Sequence, residues 1–161
     1  MLSKSELLKA AHETLEIAIK VGTSHQKERW LHGVLLGSLQ ARVGNMQSEY
    51  SVGGGRIDLR HGGSNPSVVE LVVRYHGVEE APSANRSELL KLCKVKGTQA
   101  RTRYLLILDV SGGRPVRRKF LERSYGNHIA GRGRFERQPV RVVYVHPDRR
   151  HDFDFVWRPY A

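Results

Sequence analysis

The chain of 161 residues contains a single cysteine, Cys93, and carries a formal net charge of +11 at pH 7. One cysteine excludes an intramolecular disulfide framework and a cysteine-cluster zinc site. The least charged apolar stretch, residues 31–40, is far shorter than the ~20 residues that a membrane-spanning helix needs. Both charge signs occur throughout the first 20 residues, which favours a surface helix over a signal peptide. The composition therefore predicts one basic, cytoplasmic domain without a membrane contact.

The positive charge is concentrated in one part of the chain. Residues 85–150 contain seventeen Lys and Arg against five Asp and Glu, whereas the first 84 residues contain nine of each. Such a surplus favours a polyanionic partner, most simply DNA, because phosphate neutralisation supplies most non-specific nucleic-acid affinity. A charged surface that only keeps the protein soluble is the alternative. The candidate nucleic-acid-binding residues are Lys94, Arg101, Arg103, Arg117, Arg118, Lys119, Arg132 and Arg134.

Two amphipathic helices are predicted at the start of the chain. A capping-box pattern at Ser3 and Glu6 opens the first helix, which ends at Gly22. The same pattern in residues 23–26 opens a second helix, which ends at residues 44–45. The apolar stripe of this second helix is formed by Leu31, Leu35 and Leu39.

A meander of three strands is predicted next. Residues 46–52 alternate as a half-buried strand does, and the three glycines at 53–55 suit a hairpin turn. Residues 56–60 form a second strand, and residues 61–66 form a second turn. Residues 67–75 are almost wholly apolar and β-branched, which predicts a central strand that is covered on both faces.

The second half of the chain alternates between helices and strands. The predicted elements are a helix from Asn85 to Gly97, a strand at 104–110, a basic helix at 115–127, a loop at 131–138 and a strand at 140–145. A meander followed by helical crossovers predicts an α/β fold, with a mixed central β-sheet flanked by helices. We expect a single domain, with residues 1–22 as an accessory helix, 24–145 as the core and 146–161 as a C-terminal tail.

Two carboxylates in the meander need an explanation. Glu70 lies within the run VVELVV, where an ionised carboxylate costs free energy unless something pairs with it. Asp58 stands between Ile57 and Leu59, so the two-residue period of a strand turns it away from their side. If the second turn pairs residue 60 with residue 68, Asp58 lies directly opposite Glu70, and the two like charges repel.

A divalent cation between Asp58 and Glu70 would remove both the repulsion and the cost of burial, since Mg²⁺ binds through one or two carboxylates. The alternatives are a shared proton or an arginine partner. The arginines close to these acids in the sequence are Arg56, Arg60 and Arg74.

A third acid on the second helix favours the cation. Glu28 precedes Leu31 by three residues and so extends the apolar stripe towards the sheet, where it would complete a cluster with Asp58 and Glu70. The alternative is a glutamate that only interacts with the helix dipole. Glu49 is a weaker candidate ligand, because it is expected to be an exposed strand residue. Cys93 lies on the apolar face of its helix and is expected to be a packed thiol.

The segments HQKERW, RIDL and VVELVV, set in a helix, three strands, helix and strand, together resemble the PD-(D/E)XK nuclease superfamily over residues 24–110. The resemblance implies a restriction-endonuclease-like fold and a Mg²⁺-dependent phosphodiesterase of DNA, less often of RNA, with Mn²⁺ as a substitute. It gives Asp58 the role of the motif aspartate, Glu70 that of the second acid and Glu28 that of the helix glutamate. It also implies that the backbone carbonyl of Leu71 is a metal ligand.

The chain departs from the family motif at one position. The motif has a lysine two residues after the second acid, where this chain has Val72. That lysine helps to orient the attacking water and to stabilise charge on the phosphate. Some members of the superfamily carry it on the following helix, and the candidates here are Lys91, Lys94 and Lys96. A helical wheel centred on Leu89 points Lys96 inward and Lys91 outward, although each lysine could equally be a solvated surface residue.

The sequence thus predicts a Mg²⁺-dependent endonuclease with Lys91 and Lys96 as candidate catalytic lysines. A catalytically inactive nucleic-acid-binding module with the same fold is the first alternative, and Val72 favours it. A small basic interaction protein, whose carboxylates pair with arginines, is the second alternative. The sequence leaves the oligomeric state open, and a homodimer is compatible with it.

Overall fold

A computed structural model describes residues 1–22, 27–52, 55–75, 85–129 and 138–159 of the chain. The helices are α1 (Lys4–Val21), α2 (Glu28–Val43), α3 (Arg86–Cys93) and α4 (Arg118–Ile129). The strands are β1 (Met46–Val52), β2 (Gly55–His61), β3 (Ser67–Arg74), β4 (Thr102–Asp109), β5 (Val140–Val145) and β6 (Phe153–Trp157). No described helix is both long and apolar enough to cross a membrane.

The six strands form one mixed sheet in the order β1-β2-β3-β4-β5-β6. The first three strands are an antiparallel meander, β3, β4 and β5 are parallel, and β6 returns antiparallel to β5. Parallel neighbours need long crossover connections, and α3 and α4 lie within these connections. The predicted α/β architecture, a mixed sheet flanked by helices, is confirmed.

Helices cover both faces of the sheet, and each face has its own core. The α2-side core contains buried residues of α1 and α2, together with Val69, Leu71 and Val73 of β3. The α3-side core contains buried residues of α3 and α4, together with Val68 and Val72. All eight residues of β3 are buried, as predicted for a central strand. Because side chains alternate along a strand, Glu70 points towards α3.

The boundaries of α1 are as predicted. The Ser3 hydroxyl accepts a hydrogen bond from the Glu6 backbone N–H, and Gly22 ends the helix with a positive φ of 92°. The helix is also tied to the end of the chain, where His12 lies 2.6 Å from Asp152. Its buried apolar side chains and the preceding Leu2 belong to the α2-side core, so this helix helps to cover the sheet.

The boundaries of the other helices differ from those predicted. α2 begins at Glu28 with Lys27 as its N-cap, and residues 23–26 lie outside the described part of the chain. The Asn85 side chain donates to the Tyr125 hydroxyl and makes no capping hydrogen bond at the start of α3. α3 ends at Cys93, four residues before the predicted end at Gly97.

The strand β6 lies in the segment predicted to be a tail. Its inward residues alternate along the strand, and Phe155 and Trp157 pack in the α3-side core. The same alternation is visible in the sequence FDFVW, but five residues are too few to distinguish a strand from a tail without its partner β5.

Gly37 offers a test of the exposed face of α2. A Cβ at this position would meet no atom within 4 Å, so Gly37→Ala should raise the free energy of unfolding by about 0.5–1 kcal/mol, the usual difference between glycine and alanine inside a helix. Urea denaturation followed by circular dichroism measures the change. Gly22→Ala is the control and should be destabilising, because its φ of 92° is unfavourable for alanine. A loss of stability in Gly37→Ala would contradict an uncovered face.

Candidate functional site

The hairpin between β2 and β3 brings Asp58 to Glu70. Arg60 pairs with Val68 and Leu59 pairs with Val69, which confirms the predicted register. The same register places Asp58 beside Glu70, and the two carboxyl groups are close enough to interact through charge and through a hydrogen bond. Two acids that are twelve positions apart in the sequence therefore form one carboxylate pair.

The β1–β2 hairpin is distorted at Asp58. Ile57 packs in the α3-side core and Leu59 packs in the α2-side core, although regular alternation would place both on one side. The expectation that Asp58 points away from a face shared by Ile57 and Leu59 is therefore wrong. Opposite Asp58, Glu49 has a left-handed φ of 52°, and these two residues do not pair although their neighbours on both sides do. A conformation of this kind costs about 1–3 kcal/mol outside glycine, and such strain clusters at functional sites.

Asp58 is held by two hydrogen bonds. Its Oδ2 accepts from the backbone N–H of Leu71 at 2.7 Å, and its backbone carbonyl accepts from Nε2 of His32 at 3.0 Å. The first bond fixes the carboxylate against β3, and the second ties the Asp58 peptide to α2. The side chain is half-buried, so the carboxylate pair is reached from solvent at Asp58.

Glu70 is almost completely buried, with 1% of its surface exposed. Burial raises the pKa of its carboxyl group to about 8, the negative charge of Asp58 adds to this rise, and Lys91 opposes it. Glu70 is therefore mostly protonated at pH 7 when no further cation is present. This pKa agrees with the shared proton, one of the alternatives considered from the sequence.

Lys91 on α3 contacts Glu70. Its Nζ lies 2.9 Å from Oε1 of Glu70, and 24% of the lysine side chain is exposed. The expectation that Lys91 points outward and Lys96 inward is wrong. α3 ends at Cys93, so a helical wheel does not extend to Lys96, and both Lys94 and Lys96 are exposed.

The three arginines considered as partners for the acids have other contacts. Arg56 lies 3.6 Å from Glu49 in an exposed ion pair. The guanidinium carbon of Arg60 lies 4.6 Å from the ring centre of Tyr50. Arg74 forms a buried ion pair with Asp109. The charge partner of the carboxylate pair therefore comes from α3.

Glu28 does not complete a three-carboxylate cluster. It is exposed at the start of α2, and with Arg29, His32, Glu49 and Asp58 it lines a groove of about 580 Å³ between α2 and the β1–β2 hairpin. In the described ranges, no group of three or more His, Cys, Asp or Glu side chains could hold a metal ion. The expected arrangement of Glu28, Asp58 and Glu70 around one ion is therefore not present.

Arg103 was expected to contact nucleic acid, and it is buried instead. Only 1% of its surface is exposed, and its guanidinium group donates to the carbonyl oxygen of Val95. A buried arginine of this kind fastens the end of α3 to β4 and cannot reach a phosphate.

The other basic candidates within the described residues are on the surface. Exposed cations are Lys94, Lys96, Arg101, Arg117, Arg118 and Lys119. Lys96 and Arg101 line a notch of about 550 Å³ with Gln138, at the end of the sheet where β4 and β5 begin. Arg132 and Arg134 lie outside the described residues.

Cys93 is a packed thiol, as predicted. It is fully buried in the α3-side core, and burial raises its pKa to about 12. A thiol with this pKa is not a nucleophile at neutral pH.

His32 is the site residue that sequence reasoning missed. It stands one helical turn after Glu28 on α2, and residues four apart share a helix face. That spacing was the available signal, but one histidine on a helix carries little information until the strand that it contacts is known.

The raised pKa of Glu70 predicts how stability depends on pH in a metal-free buffer. The folded protein holds a proton on Glu70 up to about pH 8, whereas the ordinary pKa is 4.5. The contribution of this group to stability is therefore complete below about pH 4.5 and falls as the pH rises to about 8, by at most about 1.4 kcal/mol per pH unit. The Glu70→Gln variant has no ionisable group at this position, so it does not show this loss of stability.

The difference in free energy of unfolding between Glu70→Gln and the wild type should therefore shift in favour of the variant as the pH rises from 5 to 8. Urea denaturation at several pH values in EDTA measures it. Glu16→Gln, a change at an exposed residue of α1, is the control and should show no such trend. A constant difference for Glu70→Gln would show that Glu70 is already ionised in the folded protein.

Comparisons of the chain with protein-family models, with curated proteins and with solved structures give no match. The site consists of two interacting carboxyl groups and a lysine, beside a strand residue with a left-handed backbone.

Proposed function

We propose that the protein is a metal-dependent nuclease of the restriction-endonuclease-like type, with Asp58, Glu70 and Lys91 as its catalytic residues. The observation that carries the proposal is the 2.9 Å contact between Lys91 and Glu70. Val72 occupies the place of the motif lysine on the same face of β3 as Glu70, and it is buried beneath α3. The ammonium group of Lys91 on α3 lies beside Glu70 and supplies the positive charge that Val72 lacks.

The carboxylate pair fits a hard divalent cation. Mg²⁺ takes oxygen ligands and commonly binds through one or two carboxylates, with waters and substrate phosphates completing its coordination. Asp58 and Glu70 provide two such groups, and they repel each other when both are ionised. The N–H and C=O of a strand residue face the same neighbouring strand, so the carbonyl of Leu71 faces β2, as its N–H does. A Mg²⁺ or Mn²⁺ ion bound there would polarise the phosphate and lower the pKa of a water molecule.

The side chains of the site have separate roles in this proposal. Glu70 would bind a dication as the ionised carboxylate, and its proton would pass to solvent, since metal ligation requires the ionised form. Asp58 keeps its position through the Leu71 N–H. Lys91 places a positive charge beside Glu70, where it can orient the attacking water and stabilise negative charge that develops on the phosphate.

The surface charge supports a nucleic-acid substrate. Residues 85–150 carry the basic surplus of the chain, and this stretch includes α3, which also supplies Lys91. Beyond the end of α3, Lys96 and Arg101 face solvent in the notch beside β4. Phosphates on either side of the cleaved bond would then meet cations along this part of the surface.

A binding module without catalysis is the second candidate. It is favoured by the absence, among the described residues, of a third carboxylate beside Asp58 and Glu70. Such a module would bind nucleic acid through the same basic surface. The carboxylate pair would keep its proton and its contact with Lys91.

Cleavage of supercoiled plasmid DNA in Mg²⁺ or Mn²⁺ tests the nuclease. The wild type should nick the plasmid, and Asp58→Asn and Glu70→Gln should abolish nicking, because each removes a charged ligand. Lys91→Met should lower the rate by about 10²–10³-fold, the usual effect of removing one group that stabilises the transition state.

Lys96→Met is the matched control for Lys91→Met, because it removes an exposed lysine of the same region. It should retain the wild-type cleavage rate at saturating DNA. Equal rates for Lys91→Met and the wild type would refute the catalytic role of Lys91. Salt-dependent DNA binding without cleavage by any variant would identify the binding module instead.

The notch residues make a separate prediction about affinity. Arg101→Ala and Lys96→Ala should each weaken DNA binding and lower the slope of log K against log salt by about 1, because each removes one phosphate contact. Fluorescence anisotropy at several salt concentrations measures the slope. Arg149→Ala removes an exposed cation beyond the other end of β5, and it should leave the slope unchanged. A similar decrease of the slope in all three variants would mean that DNA binding is not localised to the notch.

A further inference from the structure

The backbone at Asp58 is held in an irregular conformation. The ladder between β1 and β2 pairs Ser48 with Leu59 and Tyr50 with Ile57, but leaves the intervening Glu49 and Asp58 unpaired without any change of register. Met46 packs in the α2-side core and Val52 in the α3-side core, so β1 also changes face between these two residues. The hairpin therefore twists sharply at this one position.

His32 contacts the twisted position directly. Nε2 of its ring lies 3.0 Å from the backbone oxygen of Asp58. A carbonyl oxygen can only accept a hydrogen bond, so Nε2 carries the proton whether or not the ring is charged. The half-buried ring comes from α2 and so meets the carbonyl from the face of the sheet.

The contact gives the Asp58 carbonyl a hydrogen-bond partner from α2. Such a bond contributes about 0.5–1.5 kcal/mol, so it favours one orientation of the Asp58 peptide. With the peptide in this orientation, the carboxylate reaches the Leu71 N–H at 2.7 Å and lies beside Glu70. A regular ladder would instead pair Asp58 with Glu49.

We infer that His32 is the positioning residue of Asp58. The His32 ring holds the irregular peptide and thereby sets the distance between the two carboxyl groups. The geometric part of this inference stands by itself, and the consequence for catalysis rests on the proposed nuclease function. The contact of His32 is with the backbone oxygen of Asp58, so it acts on the carboxylate through the backbone.

Hydrogen exchange of the Leu71 amide reports on this geometry without any need for activity. In the metal-free protein, His32→Ala should speed exchange of this amide by about 10- to 100-fold, the effect of losing one hydrogen bond to a charged acceptor. His32→Gln keeps an N–H donor at a similar reach and should restore most of the protection. The amide of Leu106, in the fully buried centre of β4, shows whether each variant is folded.

Arg29→Ala is the control, because Arg29 lines the same groove on the same helix, and it should leave Leu71 unchanged. Unchanged exchange of Leu71 in a folded His32→Ala variant would overturn the inference. In an active wild type, His32→Ala should lower kcat with little change in KM, and His32→Gln should recover it. Faster exchange of Leu71 in His32→Ala, with no cleavage by the wild type, would uphold the positioning role and refute the nuclease.

Discussion

The repulsion between Asp58 and Glu70 is the constraint on which the site depends. Glu70 is carried into the interior by a strand whose eight residues are all buried, and the hairpin register sets a second carboxyl group beside it. The two carboxyl groups cannot both be ionised there without a compensating cation. The pKa of about 8 for Glu70 expresses that conflict, and the approach of Lys91 relieves part of it. In the proposed nuclease, a bound dication would relieve the rest.

The two faces of the sheet contribute different parts of the site. The α3 face supplies the ammonium group of Lys91. The α2 face supplies the groove and the imidazole that holds the Asp58 backbone. The hairpin changes face at Glu49 and Asp58, so residues before and after this position pack in different cores. A regular hairpin would have left Asp58 on one face only.

Much of the fold could be predicted from local pattern. The apolar, β-branched run around Glu70 indicated a central strand. The turn before Ser67 predicted the pairing of Arg60 with Val68, because the length of a hairpin loop sets the register of the two strands that it joins. The end of α3 could not be predicted in this way. Its apolar residues continue to Val95, which is buried although it follows the helix. The wheel therefore pointed Lys96 inward and Lys91 outward, although both lysines were candidates.

By itself, the sequence determined which residues raise the free energy of the folded protein: a glutamate among valines and an aspartate beside it across a turn. It also determined the basic surplus of the second half. These follow from hydrophobic pattern and short-range pairing, which depend on neighbours along the chain. Only the tertiary structure decided which lysine reaches Glu70, that Glu28 stands apart at the groove, that Arg103 is buried, and that His32 holds Asp58. Each of those outcomes depends on how a helix ends or packs across the sheet, where contacts join residues far apart in the chain and local periodicity carries no information.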